Sequence, residues 1–387
     1  MTRNLDADDV MATKILHTAD WHLGLRFLGF GEHDKPLTRQ RFETVRNIFG
    51  VAARYGVDAV VVAGDIFDTP DPGETFWMPL VTLLKEQPPR PIVLLPGNHD
   101  PLIPSAVWRN KAFVAALPAW VHIVDRDDFT LPLGDDAVIH AVPCRRTAGQ
   151  ANVAGHLPTR APDDTRVRIA LLHGQTFEMP GVVTNFPIAL DVATSKGFDY
   201  VALGDTHSRR VHGPTSSPMV YSGAPEPTRF GETEAGTVTV ALFGRRNRAP
   251  RMQVEPVGHF RWREQTARSL PELRELKTQD HRQTVMRLKV TMTLPVEEHA
   301  QAELLLRELE GSEAQPGKIA IATIDRSGLA LDARGVLLAL DDLPEQVRET
   351  ARRLQAMIHA GDRADVAERA LVRLYQVARQ TGGAGVS

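Results

Sequence analysis

The chain has 387 residues and a formal net charge of −3, with 45 Lys and Arg against 48 Asp and Glu, which excludes binding through bulk positive charge. Its length predicts two or three domains, and an apolar content of 42% excludes a largely disordered chain. The single cysteine, Cys144, excludes an internal disulfide, and the lack of a long apolar run or a signal-peptide core predicts a cytoplasmic protein without a membrane span.

The first part of the chain has the pattern of an α/β sheet, because short apolar runs alternate with amphipathic stretches. It begins with the acidic residues 1–12, which we expect to be a disordered leader, with either Met1 or Met11 as the start. The predicted helices cover 41–55 and 76–84, and the Gly- and Pro-rich residues 149–166 are predicted to form a surface loop. The predicted strands cover 14–18, 58–63, 92–95, 138–142, 167–172, 200–203, 220–221 and 237–242.

The pattern changes near residue 244, so we predict a first domain over 13–243 and a small α+β domain over 244–335. The second domain begins in a basic stretch, since residues 241–270 hold seven arginines and two glutamates. It continues with a strand at 284–293, a helix at 297–309 and a strand at 318–324.

Residues 336–380 are predicted to form a helical tail, and residues 381–387 to be disordered. Gly361 and Asp362 supply a stop and a new N-cap between two helices. Each helix carries an apolar stripe at helical spacing: Val347, Ala351, Leu354 and Ile358 in the first, and Ala367, Leu371, Leu374 and Ala378 in the second.

Five predicted strands run into short turns that carry side chains suited to metal binding. Because parallel strand ends meet at one edge of a sheet, these turns are expected to converge. A single strand-end histidine or aspartate is more often structural, but five such turns in succession are poorly explained by turn chemistry alone. The side chains are Asp20 and His22, Asp65, Asn98 and His99, His173, and Asp205 and His207.

The ligand types in these turns favour a pair of divalent ions. Carboxylates, an amide carbonyl and imidazoles without thiolates suit Mn²⁺, Fe²⁺ or Zn²⁺, and Mg²⁺ is an alternative. The candidate ligands are too many for one tetrahedral ion, and they match two ions that share a carboxylate. Such a pair can clamp a phosphodiester and activate a water molecule, so the pattern predicts metal-dependent phosphoester hydrolysis.

The order D-x-H, G-D-x-x-D, G-N-H-D, H-G and G-x-x-H resembles the calcineurin-like metallophosphoesterase superfamily. The segments HTADWHLG, VDAVVVAGDIFD, LPGNHDP, YVALGDTH and YSGAPEPTRFGE resemble the SbcD-type nucleases of DNA double-strand-break repair. The resemblance covers residues 14–232. It implies an α/β fold of the calcineurin-like type, a two-sheet α/β sandwich, followed by a small α+β capping domain and C-terminal helices.

The resemblance also implies a role for each site residue. One metal ion would be held by Asp20, His22, Asp65 and His207, and a second by Asp65, Asn98, His173 and Asp205. His99 would lie near the scissile phosphate as a catalytic residue. Asp68 would either orient His99 or serve only as a helix N-cap.

One position departs from the family pattern, in which the last motif usually reads G-H-x-H. Here it reads Gly204-Asp205-Thr206-His207, so a carboxylate replaces an imidazole. Two hypotheses follow from this difference. Either the site stays active with a stronger preference for Mn²⁺, or the second metal ion is bound weakly and activity is low.

Several arginines lie in predicted loops near these turns and are candidates for DNA binding, or else form an ordinary solvated surface. They are Arg26, Arg39, Arg41, Arg145, Arg146, Arg209 and Arg210, to which the arginines at 245–268 could add. No G-x-x-x-x-G-K-[ST] segment occurs, so ATP is not expected to bind through a P-loop of this chain.

The resemblance implies three kinds of partner: DNA, a coiled-coil ABC ATPase of the SbcC type, and a second copy of the chain. The tail would dock the ATPase, or else fold onto the body of the protein. The helix at 41–55 is a candidate dimer contact, and the resemblance places the protein at the nucleoid.

Together these features predict a dinuclear metal-dependent DNA nuclease, an exonuclease or endonuclease, in double-strand-break repair. Two alternatives stay open. The chain is a phosphoesterase for another substrate class, or a scaffold that binds DNA ends and has a weakened metal site.

Overall fold

A computed structural model of the protein describes residues 11–150, 152–176, 184–244, 249–312, 315–316, 319–332, 345–361 and 363–382. The predictions for most of the leader, for Asp362, for residues 336–344 and for most of the 381–387 segment lie outside these ranges. The same holds for the basic side chains Arg245, Arg246 and Arg248.

The chain divides into two compact units between Arg261 and Trp262. The first unit extends past the predicted domain end at residue 243. The reason is that Arg251–Pro256 pairs antiparallel with Thr237–Gly244 and so belongs to a sheet of the first unit.

The first unit is a mixed α/β structure with two six-stranded sheets, which confirms the predicted fold class. Its helices are α1 (Asp34–Tyr55), α2 (Glu74–Lys85), α3 (Lys111–Ala116) and α4 (Val192–Lys196). Its strands are β1 (Met11–Thr18), β2 (Ala59–Val62), β3 (Ile92–Leu94), β4 (Val121–Ile123), β5 (Phe129–Leu133), β6 (Ala137–Ala141), β7 (Val167–His173), β8 (Tyr200–Gly204), β9 (Arg210–His212), β10 (Met219–Tyr221), β11 (Thr237–Gly244) and β12 (Arg251–Pro256).

The strand order is β12-β11-β1-β2-β3-β4 in the first sheet and β5-β6-β7-β8-β10-β9 in the second. The strands β1 to β4 are parallel, as are β6, β7, β8 and β10. Parallel strands carry their connections across the faces of the sheet, so both faces are covered and the strands are apolar throughout.

The alternation of side chains along each strand places the core on both sides of the first sheet. Ile15 and Val61 pack into a buried cluster with Ile169 and Leu171 of the second sheet. Leu16 and its neighbours of the same parity pack against α1 and α2 on the opposite face. The two sheets therefore share one apolar core, as a two-sheet sandwich requires.

The segment at 149–166 is less exposed than the predicted surface loop. Val153, Ala154 and Leu157 are buried in a cluster with residues of β7 and β8. A short 3-10 helix, Val153–His156, brings these apolar side chains inward. The Gly and Pro content indicated a loop, but the tertiary contacts cover its centre.

The second unit contains the predicted β-α-β arrangement. Its strands are β13 (Arg261–Ala267), β14 (His281–Leu294), β15 (Gly311–Ser312), β16 (Gln315–Pro316) and β17 (Ile319–Leu331), with β14 and β17 parallel in a sheet ordered β13-β14-β17. Its helices are α5 (Leu270–Thr278), α6 (Val296–Glu310), α7 (Glu345–Ala360) and α8 (Ala364–Gly382).

The two tail helices, α7 and α8, pack their apolar stripes on each other. Ala351, Leu371 and Tyr375 are buried in one cluster with Leu331 of β17. The tail therefore folds onto the body of its own unit, which is one of the two predicted arrangements. Among the described residues, no helix has the length and apolar character needed to cross a membrane.

Candidate metal centre

The candidate ligands lie at the carboxyl ends of parallel strands. Asp20 and His22 follow β1, and Asp65 follows β2. Asn98 and His99 follow β3 in the same sheet. In the second sheet His173 is the last residue of β7, and Asp205 and His207 follow β8. Ligand atoms of Asp20, Asp65 and His173 lie within 4.8 Å of one another, as do those of Asp20, His22 and His207 and of His22, Asp65 and His99.

The backbone of these turns is strained. The φ angles of Asp20, His22, Asp65 and Asp205 are 55°, 44°, 53° and 94°, in the left-handed region that residues other than glycine rarely adopt. Strain of this kind persists only where the surrounding structure enforces it, and it concentrates at functional sites.

Glycines allow the turns to approach one another. A Cβ atom at Gly64 would lie 2.1 Å from His173 Nδ1, and one at Gly97 would lie 2.1 Å from Asp65 Oδ1. At Gly204 a Cβ atom would lie 1.9 Å from the carbonyl oxygen of Ala63. The glycines in the G-D and G-N-H-D motifs are therefore required by the close packing of the ligand turns.

The imidazoles of His22 and His207 face each other, with 3.1 Å between their Nε2 atoms. Burial lowers the pKa of His22 to about 4, so its ring is neutral, and its Nδ1 donates to Asp68 Oδ1 at 3.2 Å. Burial alone would lower the pKa of His207, but its hydrogen bond to Glu232 and the charge of Asp20 raise it. Because the neutral His22 ring already donates from Nδ1, its Nε2 is an acceptor, so in this geometry His207 donates from Nε2 to His22 and from Nδ1 to Glu232 Oε1.

His173 is also protonated when no metal ion is bound. Burial would lower its pKa, but the charges of Asp65, Asp20 and Asp205 raise the pKa to about 9. Its Nδ1 donates to the carbonyl of Ala63 at 2.8 Å, and its Nε2 donates to Asn98 Oδ1 at 2.7 Å. The two cationic rings, His173 and His207, partly balance the buried carboxylates, which is the role that a divalent cation would take over.

The cluster has the donor set of a cation site. One oxygen of Asp20 accepts from the backbone N–H of Asp205 at 2.9 Å, while Oδ2 is buried and has no hydrogen-bond partner among the described residues. Burial raises the pKa of Asp20 to about 6, although His207 and His173 oppose that shift. A buried carboxylate oxygen without a donor costs free energy, which a bound cation would remove. The residues therefore fit divalent metal ions.

His99 lies at the exposed rim of the cluster, with 45% of its side chain accessible. Its Nδ1 is 3.6 Å from Asp68 Oδ1 and 3.3 Å from the carbonyl oxygen of Asp68. The hydrogen bond to Asp68 raises the pKa of His99 to about 9, so the ring is cationic at neutral pH. The alternative role of Asp68 as a helix N-cap is wrong, because α2 begins at Glu74 after Gly73.

Three supporting residues escaped the sequence analysis. Glu232 accepts from His207, and the buried carboxylate of Asp100 accepts from the backbone N–H groups of Phe67 and Gly97. The third is Arg41, which the sequence indicates only as a candidate DNA contact and as part of the candidate dimer helix at 41–55. Glu232 and Asp100 do lie within the quoted segments YSGAPEPTRFGE and LPGNHDP, but nothing in their spacing indicated a partner.

Arg41 is 1% exposed, and its guanidinium donates to four backbone carbonyls. The acceptors belong to Asp20 and Trp21 in the first ligand turn and to Glu226 and Pro227 near Glu232. A single buried cation thus ties together two loops that carry the ligands and their support. Its α1 helix begins at Asp34 and so extends further towards the N-terminus than the predicted 41–55 helix.

The candidate DNA-binding arginines have different surroundings. Arg26 forms an ion pair with Asp34 at 2.6 Å, and Arg145 forms one with Asp127 at 2.8 Å. The side chain of Arg209 is 16% exposed, with NH1 at 3.8 Å from Glu234. Arg146 and Arg210 are exposed, and Arg210 lines a cavity together with the ligands Asp205 and His207. Arg210 therefore shares a cavity with two of the candidate ligands.

The fold and the donor set define a metal-dependent phosphoesterase. The sequence profile of the family described as "Calcineurin-like phosphoesterase" matches residues 13–209, which is half of the chain. The chain belongs to this family.

Several curated proteins are similar to the chain. The "Uncharacterized metallophosphoesterase YhaO" of Bacillus subtilis is 27% identical over 233 residues, 56% of this chain and 54% of that protein. The "DNA double-strand break repair protein Mre11" of Sulfurisphaera tokodaii is 28% identical over 240 residues, 57% of this chain and 56% of that protein. The D subunit of the nuclease SbcCD of Escherichia coli K12 is 28% identical over 259 residues, 57% of this chain and 62% of that protein. The chain thus spans little more than half the length of these relatives.

Proposed function

We propose that the chain is a dinuclear metal-dependent DNA nuclease that hydrolyses phosphodiester bonds in double-strand-break repair. One observation carries the proposal: Asp65 Oδ2 lies 3.7 Å from His22 Nε2 and 3.5 Å from His173 Nε2. A single carboxylate is thus shared by the two groups of ligands, as a bridging residue between two ions must be. The names of the relatives from Sulfurisphaera and Escherichia supply the DNA substrate in this proposal.

The residues divide into two sets around Asp65. Asp20, His22, Asp65 and His207 would hold one ion, and Asp65, Asn98, His173 and Asp205 the other. When bound, such ions neutralise phosphate charge and lower the pKa of a bound water molecule towards neutrality. We assign Mn²⁺ as the preferred ion, because three carboxylates and an amide oxygen favour a hard cation.

The chain's own groups then orient the substrate. The cationic ring of His99 can donate a hydrogen bond to a phosphate oxygen or a proton to the leaving oxygen. Asp68 holds the ring through Nδ1, which leaves Nε2 for the substrate. The backbone N–H of His99 donates to Asp65 Oδ1 at 2.9 Å, so the turn that carries His99 is tied to the shared carboxylate.

The test is cleavage of labelled single-stranded and duplex DNA by the purified chain with Mn²⁺ or Mg²⁺. We expect Mn²⁺-dependent cleavage that Asp65→Asn abolishes. Asp71→Asn is the matched control, because Asp71 is an exposed acid in the same loop. Hydrolysis of small phosphodiesters without cleavage of DNA would instead indicate another substrate class. Binding of DNA ends without any hydrolysis would indicate a scaffold.

Asp205 decides between the two hypotheses on the altered motif. In the proposed nuclease Asp205→His lowers the preference for Mn²⁺ without raising activity by orders of magnitude. Titration of cleavage with Mn²⁺ in both proteins is the measurement. A large gain of activity in the variant at saturating Mn²⁺ would mean that the natural second site is weak.

The proposed partner is a coiled-coil ABC ATPase, because the relative from Escherichia is by its name one component of a nuclease with more than one kind of chain. Val366 and Val377 of α8 are 47% and 41% exposed. The apolar stripe of the same helix that contains Leu371 is packed against α7. We expect two changes to abolish copurification with such an ATPase: the double substitution Val366→Asp and Val377→Asp, and the deletion of residues 342–387. Both proteins should still cleave simple DNA.

Homodimerisation through α1 and a place at the nucleoid belong to the same proposal.

A further inference from the structure

A cavity of about 500 Å³ opens beside the ligands that follow β8. The cavity is lined by the candidate ligands Asp205 and His207 and by the cationic side chains of Arg210 and Arg229. The side chain of Arg229 is 78% exposed. The lining also includes the aromatic ring of Phe230. We call this space the His207 cavity.

Phe230 is part of an aromatic pair. Its ring stacks on that of Phe30, with 6.4 Å between the ring centroids and 29° between the ring planes. Both rings are half-buried. Phe30 lies in the short 3-10 segment Leu28–His33, which follows the ligand turn of β1, so the pair joins two loops next to the metal centre.

The position of Phe230 relative to the ligands is set by hydrogen bonds. Glu232 accepts from Nδ1 of His207 at 2.7 Å and from the backbone N–H of Thr228 at 2.8 Å. The backbone N–H of Thr233 donates to Ser208 Oγ at 2.9 Å. The loop that carries Phe230 is therefore closed on itself and hydrogen-bonded to a candidate metal ligand, which sets the position of its backbone relative to His207.

Candidate metal ligands, arginines and an aromatic ring line one cavity, and together they suit the phosphate and the base of a nucleotide. Phosphate groups pair with arginine, and every nucleobase has a π face that stacks on an aromatic ring without regard to sequence. We propose that the His207 cavity receives the nucleoside next to the scissile phosphate, with its base stacked on Phe230 and with Phe30 supporting that ring. This inference rests on the proposed nuclease function and adds a specificity-determining residue to it.

The test compares two single-stranded oligonucleotides that differ at one nucleoside. One has ordinary bases throughout, and the other has an abasic tetrahydrofuran residue next to the bond that is cleaved. The wild-type chain, Phe230→Leu and Phe230→Trp are assayed for kcat/KM with Mn²⁺. Phe42→Leu is the matched control, because Phe42 is another half-buried phenylalanine of the first unit and lies outside the cavity.

We expect Phe230→Leu to lower kcat/KM on the ordinary oligonucleotide by roughly tenfold, the effect of losing one base stack. On the abasic oligonucleotide we expect a change of less than about twofold, since no base is present to stack. Phe230→Trp should retain the wild-type rate, and Phe42→Leu should treat both substrates as the wild type does.

Equal losses on both oligonucleotides would overturn the inference, because they would assign Phe230 a structural role only. Equal rates for Phe230→Leu and wild type would overturn it as well. Both results leave DNA cleavage by the wild type intact and so leave the proposed function standing. If the wild type cleaves neither oligonucleotide while it hydrolyses bis(p-nitrophenyl) phosphate, the proposed function and this inference fall together.

Discussion

The first unit contains two clusters of buried charge at opposite ends of β7. The ligand cluster surrounds His173, the last residue of the strand, and the Arg168 cluster surrounds its second residue. Arg168 is 2% exposed, and its terminal nitrogens donate to the carbonyls of Lys196 and Pro158 at 2.9 Å and 2.7 Å. Its Nε lies 3.7 Å from Asp164 Oδ2, and its neighbour Arg160 pairs with Asp199 at 2.5 Å.

The two clusters differ in how their charges are satisfied. In the Arg168 cluster the protein itself supplies the opposite charge, since Asp164 and Asp199 lie beside the guanidinium groups, although Nε of Arg168 has no hydrogen-bond partner among the described residues. In the ligand cluster Asp20 Oδ2 lacks a donor among the described residues. Four residues in its turns also have left-handed backbone. Both clusters bury charge. The ligand cluster differs from the Arg168 cluster in its excess of negative charge and in its strained backbone.

The largest effect on stability is expected in the Arg168 cluster. Arg168→Met leaves buried carbonyls without donors and should lower the free energy of unfolding by about 3 kcal/mol. Urea denaturation followed by fluorescence measures this change. Arg166→Met is the control, because the Arg166 side chain is 40% exposed and should cost less than about 1 kcal/mol. Equal losses in the two variants would contradict the structural role of Arg168.

The ligand cluster should respond to metal ions instead. Mn²⁺ at a hundred times its Kd should raise the free energy of unfolding of the wild type by about 2.7 kcal/mol, since it binds only the folded chain. Asp65→Asn should lose most of this gain, whereas Arg168→Met should retain it. Thermal unfolding with EDTA or Mn²⁺ tests the comparison, and a gain in Asp65→Asn equal to that of the wild type would refute the shared-ligand assignment.

The support of His207 should matter less than the ligands themselves. Glu232→Gln keeps the shape of the side chain but removes the charge that orients the ring and raises its basicity. Loss of such a partner costs about 10- to 100-fold in metal affinity. Isothermal titration with Mn²⁺ measures it, with Glu234→Gln as the exposed control from the same loop. Unchanged affinity in Glu232→Gln would show that the 2.7 Å contact has no energetic role.

The smallest effect, taken per unit of pH, is a pH dependence confined to the ligand cluster. The pKa of His173 is raised to about 9, so at pH 7 Mn²⁺ must displace a proton from that ring, and the pKa of His207 is shifted in the same direction. Mn²⁺ affinity should therefore rise as the pH increases from 6 towards 9, by up to about tenfold per unit for the proton of His173. Titrations in buffers of different ionisation enthalpy count the released protons. Release of no proton would contradict the cationic ring of His173.

The class of fold, the strands that carry the candidate ligands, and the types and order of those candidates could be predicted from the amino-acid sequence. These features depend on short-range chemistry: a strand follows from an apolar run, and a turn such as Gly204-Asp205 follows from residues next to each other. Each candidate ligand was identifiable because it directly follows a recognisable strand. The resemblance of the motifs to a known family then added their roles.

The residues that support the ligands became visible only in three dimensions. Glu232 meets His207 across 25 positions, and Arg41 meets Glu226 across 185. The end of the first unit at Arg261 likewise depends on the pairing of β12 with β11. Such contacts are set by how strands and loops are arranged in space, and no local pattern encodes them. The physical reason is that hydrogen bonds to a buried ligand can come from any segment that packs against it.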